Sequence, residues 1–286
     1  MNISIVIRCG DDRRIFRCVE SIDEKADIVA AISENAALQK ELEASNIRYC
    51  LTPRGNLSQT SNLGFDAASH SKVIITDSDT VFEKGCIRRM SNALDDRRIV
   101  RARLSFRHDA VHPLSKVVAE ARDFVNALPL VYTPGIGVRK DIIPDIGGFL
   151  FNSPVPYAVD ADLNYRIKAA GIPVAFLKDA VLYHDAEWLW HDLKAAARIG
   201  KGCMVSANCL SGHSAFGGPK KTIVKRLKGV KTEHWRRLLR SKGVSVMMYQ
   251  FLWDLCFYTG RNAEWVRQNL SNGKNGGNGA LRREVQ

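Results

Sequence analysis

Four short apolar runs, Ile3 to Ile7, Asp27 to Ile32, Ile47 to Leu51 and Lys72 to Thr76, alternate with three helical patterns before Asp77 is reached. The helical patterns are Arg14 to Ile22, with Phe16, Val19 and Ile22 three apart, Asn35 to Ser45, with Leu38 and Leu42 four apart, and Leu57 to Ala68. Strand–helix alternation in units of this size commits a chain to a parallel sheet with helices on its faces. Such sheets bind ligands at the carboxyl ends of their strands. Further on, 97–150 is less regular and is punctuated by Pro134, Gly135, Gly137, Pro144, Gly147 and Gly148, which mark turns. Tyr157 to Gly171 reads as a helix and Val174 to Leu177 as a strand, and the pattern is mainly helical from Trp188 onward.

With 286 residues, 45% apolar and 25% charged, the chain has the length and composition of one large globular domain or a domain plus an appendage. The net charge of +12 is uneven. Residues 188–286 hold 18 Lys+Arg against 5 Asp+Glu, a balance of +13, so the remainder is close to neutral. A basic last third suggests an anionic partner, such as a membrane surface, a nucleic acid or a polyanionic substrate, or else a solvated face. Lys221 to Arg240 reads as a basic amphipathic helix broken near Gly229, with Val224, Leu227 and Val230 on its apolar face. Trp235, Trp253, Phe257, Tyr258 and Trp265 among the basic residues suit a membrane interface. Asn and Gly dominate 271–280, which reads as disordered. The expected organisation is a catalytic domain at 1–187, a basic helical region at 188–270 and a disordered tail at 271–286. Val244 to Tyr258 is too short for a membrane span and is interrupted by Ser245, Gln250 and Asp254. Seven cysteines without a Cys-x-x-Cys pair argue against a disulfide framework or structural zinc and fit a reducing cytosol. A strand starting at Ile3 leaves no room for a signal peptide, so a cytoplasmic protein, peripheral at the membrane face, is expected.

Three features carry chemistry. Asp77-Ser78-Asp79 directly follows the strand Val73 to Thr76, where two carboxylates can turn toward Mn²⁺ or Mg²⁺, with substrate phosphates and water completing the shell. The same triplet also reads as an ordinary turn or helix cap. Asp160-Ala161-Asp162-Leu163 opens a helix, where a carboxylate serves either as a cap or as a general base facing a cleft. His184, in Val181-Leu182-Tyr183-His184, reads as a structural histidine or as a ligand suited to Mn²⁺.

Taken in order, these blocks resemble the family 2 glycosyltransferases of the GT-A fold over roughly residues 2–185. Ser4-Ile5-Val6-Ile7 and Arg17-Cys18-Val19-Glu20-Ser21-Ile22 look like the family's first strand and helix. Arg54-Gly55-Asn56-Leu57-Ser58 and Asn62-Leu63-Gly64-Phe65-Asp66-Ala67-Ala68 are similar to its Gly-x-x-x-Ala-x-Asn-x-Gly-x-x-x-Ala block. Asp77-Ser78-Asp79, Gly147-Gly148-Phe149 and Val159 to Arg166 follow, the last similar to Glu-Asp-x-Asp-Leu-x-x-Arg, and the match closes on Gly171, Val174 and His184.

The resemblance implies an α/β GT-A fold, Rossmann-like and mostly parallel, with a basic helical C-terminal appendage. It implies an inverting, nucleotide-sugar-dependent hexosyltransferase. The nucleotide diphosphate sugar would lie over the first strands, near Arg8, Asp11, Glu34, Arg54, Asn62, Asp77 and Ser78. Asp79 would hold Mn²⁺ or Mg²⁺, with Asp77 on ribose or metal and His184 on metal or diphosphate. Asp160 would be the base, with Asp162, beside a Val159 that replaces the usual Glu, able to share the role. Gly147, Gly148 and Phe149 would lie on the acceptor side. The acceptor would be lipid-linked or a glycan, with an anionic membrane meeting 220–260, or less readily a nucleic acid. Two rival readings are a sugar-nucleotide nucleotidyltransferase and a degenerate transferase domain that binds nucleic acid or membrane. Cys9 to Arg14, with one Gly and two acids, is a poor triphosphate loop for the first, and the intact Asp77, Asp79, Asp160 and His184 argue against the second.

Overall fold

The computed structural model describes residues 2–108, 112, 114–128, 130–209 and 231–280. Eight strands form one sheet: β1 (Ile3–Gly10), β2 (Asp27–Ile32), β3 (Arg48–Leu51), β4 (Lys72–Asp77), β5 (Thr80–Phe82), β6 (Ile99–Arg107), β7 (Ile136–Arg139) and β8 (Ala175–Asp185). Their order across the sheet is β3-β2-β1-β4-β7-β6-β8-β5. β1 pairs in parallel with β2 and β4, β2 with β3, and β6 with β8, whereas β7 and β5 are antiparallel to their neighbours. Among the helices, α1 (Ile15–Glu20), α2 (Ala36–Ala44) and α3 (Leu57–Ala67) are the expected crossovers, and α4 (Cys86–Asp96), α5 (Ser115–Asn126) and α6 (Val159–Ala169) follow. The mixed α/β fold with a mostly parallel, helix-flanked sheet is therefore present.

The central strands are apolar on both faces. Ile3, Ile5, Ile7, Ile32 and Ile74 pack in one core layer, and Val6, Val29, Val73 and Ile75 pack in the other. Alternate side chains of each strand thus serve opposite layers, as pleating requires. Asn35 and Asn56 start α2 and α3 by accepting hydrogen bonds from backbone N–H groups of the first turn.

The stretch 97–150 is more regular than its sequence suggests. It contains β6, α5 and β7. Arg101 obscured the pattern in β6, because a charged residue at a fully buried strand position breaks the apolar run. Its guanidinium donates to the backbone carbonyls of Asn126, Leu128 and Leu130 and lies against the rings of Tyr132 and Phe176 at 4.7 and 4.9 Å. Hydrogen bonding and aromatic faces offset the cost of burying the charge.

The C-terminal helices are α7 (Leu189–Cys209), α8 (Lys231–Lys242) and α9 (Val244–Ala280). They pack onto the domain through Val118, Ala121, Leu193, Leu238, Val246 and Tyr249. α7 crosses α9 at small residues. A Cβ on Gly200 would lie 1.9 Å from the Phe257 carbonyl oxygen, and one on Gly260 would lie 2.0 Å from that of Ala197. The obstacle is backbone in both cases, so Gly200→Ala should cost about 1–3 kcal/mol as overpacking, read as a lower denaturation midpoint. An unchanged midpoint would mean that the two helices do not meet this closely.

Of the expected basic helix, 221–230, with Val224, Leu227 and Val230, lies outside the described residues. Its remainder coincides with α8, where Leu238 is buried and Leu239 exposed. Residues 271–280, read as disordered from their Asn and Gly, fall within the bounds of α9. Extending an existing helix adds one hydrogen bond per residue without a new nucleus. Residues 281–286 lie outside the described residues.

Candidate active site

The carboxyl ends of β1 and β4 meet in a cavity of about 1180 Å³. Arg8, Asp77, Ser78, Asp79, Asp160 and His184 all line it. β4 ends at Asp77, and the chain turns through Ser78 and Asp79 into β5. β5 pairs with β8 so that Thr80 faces His184. That register carries His184 to the aspartates from more than a hundred positions away. Ligand atoms of Asp77, Asp79 and His184 lie within 4.8 Å of one another.

The chemistry of this trio suits a divalent cation. His184 Nδ1 lies 2.7 Å from the Asp185 carbonyl oxygen, which can only accept, so Nδ1 carries the proton of the neutral ring. Nε2 is then an acceptor, and it lies 3.4 Å from Asp79 Oδ1. Asp79 Oδ1 is buried and receives no hydrogen bond. Two facing acceptors with a buried, unpaired oxygen form a group that could hold a divalent cation between them. Burial pushes the Asp79 carboxyl above its ordinary pKa, against the pull of the Arg14 charge.

Arg8, almost fully buried at the end of β1, grips Asp77 with both arms: Nε to Oδ1 at 2.7 Å and Nη2 to Oδ2 at 2.9 Å. Its Nη1 is buried and makes no hydrogen bond. Ser78 donates from Oγ to Asp12 at 3.1 Å and from its backbone N–H to the Arg8 carbonyl.

Asp160 lies in the first turn of α6, and its Oδ1 accepts from Thr133 Oγ1 at 2.6 Å. Burial raises its pKa above the ordinary 3.8, while the Thr133 hydrogen bond and the Arg8 charge act in the opposite direction. Asp162 is placed differently. It is fully buried and does not line the cavity. Its Oδ2 accepts from Arg166 Nε at 2.7 Å. Arg166 also donates to the carbonyls of Ile146, Phe149 and Leu150. Asp162 is therefore part of a structural clamp.

Gly147, Gly148 and Phe149 belong to the same clamp. Both glycines have positive φ, 99° and 85°, and the loop turns so that Phe149 lies under Arg166 at 4.6 Å. None of the three lines the cavity. Asn62, expected near the nucleotide, is also committed elsewhere: its side chain donates to the Phe151 carbonyl at 2.7 Å and accepts from the Phe151 N–H at 3.0 Å. Asp11, Glu34 and Arg54 follow the ends of β1, β2 and β3 and are exposed, with Arg54 Nη2 3.3 Å from Asp11 Oδ2. They stand outside the cavity lining.

Several lining residues carry no sequence motif. Thr133 precedes Pro134 in a turn that reads only as a turn. Trp253 and Phe257, one helical turn apart on α9, form part of the cavity wall with ring centroids 5.6 Å apart. Their i, i+4 spacing was legible, but not the surface they face. Arg122 of α5 lies 3.1 Å from Asp192 of α7 and 4.6 Å from the Trp253 ring, which ties α5, α7 and α9 together at the cavity edge.

No protein-family model and no curated protein matches the chain. Solved structures do. S. aureus TarS 1-349 matches with TM-score 0.50 and 13% identity, over 94% of this chain and 92% of that one. S. aureus TarS 1-349 in complex with UDP-GlcNAc matches with TM-score 0.50 and 14% identity, over 94% and 92%. The fold is GT-A. The longer S. aureus TarS chain matches with TM-score 0.48 and 14% identity over 92% of this chain, which spans 55% of its length.

Proposed function

We propose that the chain transfers a sugar from a nucleotide diphosphate to an acceptor hydroxyl with inversion. The observation that carries this reading is one cavity lined both by the cluster of Asp77, Asp79 and His184 and by Asp160. Asp160 takes the proton of the acceptor hydroxyl as its oxygen bonds to the anomeric carbon. The bond from that carbon to the diphosphate breaks on the opposite face, and the nucleoside diphosphate leaves. Thr133 aims the Asp160 carboxylate, and Arg8 holds Asp77 in place. Asp79 and His184, with Asp77 beside them, would hold Mn²⁺ or Mg²⁺, which offsets diphosphate charge and so stabilises the leaving group. UDP-GlcNAc, present in one of the similar structures, is the first donor to try.

Thermal melting with UDP-, GDP-, CMP- and dTDP-sugars, with and without Mn²⁺, tests this. A donor at 100 times its Kd should add about 2.7 kcal/mol of stability. The shift should need Mn²⁺ and vanish in Asp79→Ala. Absence of a shift with every nucleotide, in folded protein, would remove the donor reading.

The acceptor reading, lipid-linked or glycan, goes with attachment to an anionic membrane at the cytoplasmic face. Val244, Met248, Phe251, Leu252 and Leu255 are exposed along one side of α9, beside exposed Leu239, Arg236, Arg237, Arg240 and Lys242 of α8. Apolar residues rimmed by cations suit the headgroup boundary. No helix among the described residues is long and apolar enough to cross a membrane. All seven cysteines are free, in keeping with a reducing compartment. Sedimentation with phosphatidylglycerol vesicles should pull down the protein, and Leu252→Asp should reduce this by about tenfold, since a charge replaces roughly 1.5–3 kcal/mol of apolar burial. Equal binding to phosphatidylcholine vesicles, or no loss in the variant, would set the membrane idea aside.

A further inference from the structure

A second cavity, of about 630 Å³, lies beside the first and is lined by Trp188, Trp190, His191, Lys194 and Arg198. His191 and Arg198 line both cavities, so the two adjoin. Trp188 is 54% exposed and Trp190 63% exposed, two residues apart at the start of α7. The His112 ring lies nearly parallel to Trp188, with centroids 6.1 Å apart. His191, Lys194 and Arg198 follow at helical spacing on one face of α7, leading from the tryptophans toward Asp160. Positions 190 to 198 span two turns, about 12 Å along the helix axis.

Two flat indoles offer large apolar faces to a planar or ring-shaped partner. The charges beside them define that partner further. Lys194 and Arg198 are exposed and have no carboxylate partner among the described residues, while Glu187 lies 3.6 Å from His191 and Asp192 is held by Arg122. Arg198 leans over the Tyr157 ring at 5.8 Å, and both line the large cavity. Aromatic faces with two separated cations match a saccharide chain carrying acidic groups at intervals. A nucleic acid would ask for a denser row of phosphate contacts.

We propose that Trp188, Trp190, Lys194 and Arg198 form an acceptor subsite for an acidic oligosaccharide. Its terminal sugar reaches into the large cavity and presents a hydroxyl to Asp160. This rests on the transferase reading only for the role of the large cavity.

Isothermal titration calorimetry of the full chain tests the subsite without any turnover. The probes are oligogalacturonate, a heparin-derived hexasaccharide, phosphorylated oligomannose, neutral chitohexaose and a single-stranded deoxyoligonucleotide. At least one acidic saccharide should bind in a salt-sensitive way, and at least tenfold more tightly than chitohexaose. Trp190→Ala and Lys194→Ala should each weaken it by about tenfold. Both residues are exposed, so both variants should melt with the parent protein. Failure of all three acidic saccharides, equal binding of chitohexaose, or tighter binding of the oligonucleotide would overturn the proposal. Nucleotide-sugar melting shifts in the parent protein separate the two readings. A shift there with no saccharide binding removes the subsite alone. Saccharide binding with no nucleotide shift in any form keeps the subsite and removes the donor reading.

Discussion

Replacing Asp160 by Asn is expected to lower turnover by about 10²–10⁴-fold, the usual contribution of a positioned base. The amide is nearly isosteric, and its oxygen can still accept from Thr133 Oγ1, so the site should keep its shape. The sign of the pKa shift supplies a second readout. Burial raises the Asp160 pKa, so the proton stays on to a higher pH than on an ordinary Asp. On the proposed reaction the parent protein should therefore lose kcat/KM on acidification, with a limb above the ordinary carboxylate range, and Asp160→Asn should lack that limb. The raised folded pKa also means that ionising Asp160 works against folding once the pH exceeds it, and that the parent regains this stability as the pH falls. Near neutral pH, Asp160→Asn should melt no lower than the parent. A variant that keeps full turnover would remove Asp160 from the reaction.

Arg166→Met should have the opposite profile, a large loss of stability. Arg166 and Asp162 are both buried, and Arg166 also holds three backbone carbonyls of the loop before α6. Removing one partner of a buried pair leaves a charge uncompensated, at about 3–5 kcal/mol. Unfolding in urea should show a lower midpoint with little change in slope. Asp162→Asn should weaken the same clamp. If instead Asp162→Asn abolished turnover at unchanged stability, the division of labour between the two aspartates would be reversed.

That division was partly legible. Successive helical residues turn by about 100°, so Asp160 and Asp162 cannot share a face. Val159, Leu163, Arg166 and Ile167 are buried with Asp162. The apolar residues among them were visible beforehand and place Asp162 inward. Resemblance to a family motif made Asp160 the base and left Asp162 able to share the role, and helix phase separates them. The glycines 147 and 148 were rightly read as turn formers. Their acceptor-side role was not supported, because the loop they form closes over Arg166.

The apolar runs of the first strands and the positions of their turns are local properties, so the sequence by itself determined the parallel half of the sheet and put Asp77 and Asp79 at a strand end. Strand order past β4 is different. β7 inserts between β4 and β6, and β8 runs in parallel with β6 while taking β5 on its other edge. No local pattern encodes those partners, since pairing between distant strands depends on which faces remain to be buried once the first half has formed. Only the tertiary structure therefore brought His184 to Asp79, turned the basic C-terminal helices into a wall of the cavity, and set two exposed tryptophans beside it.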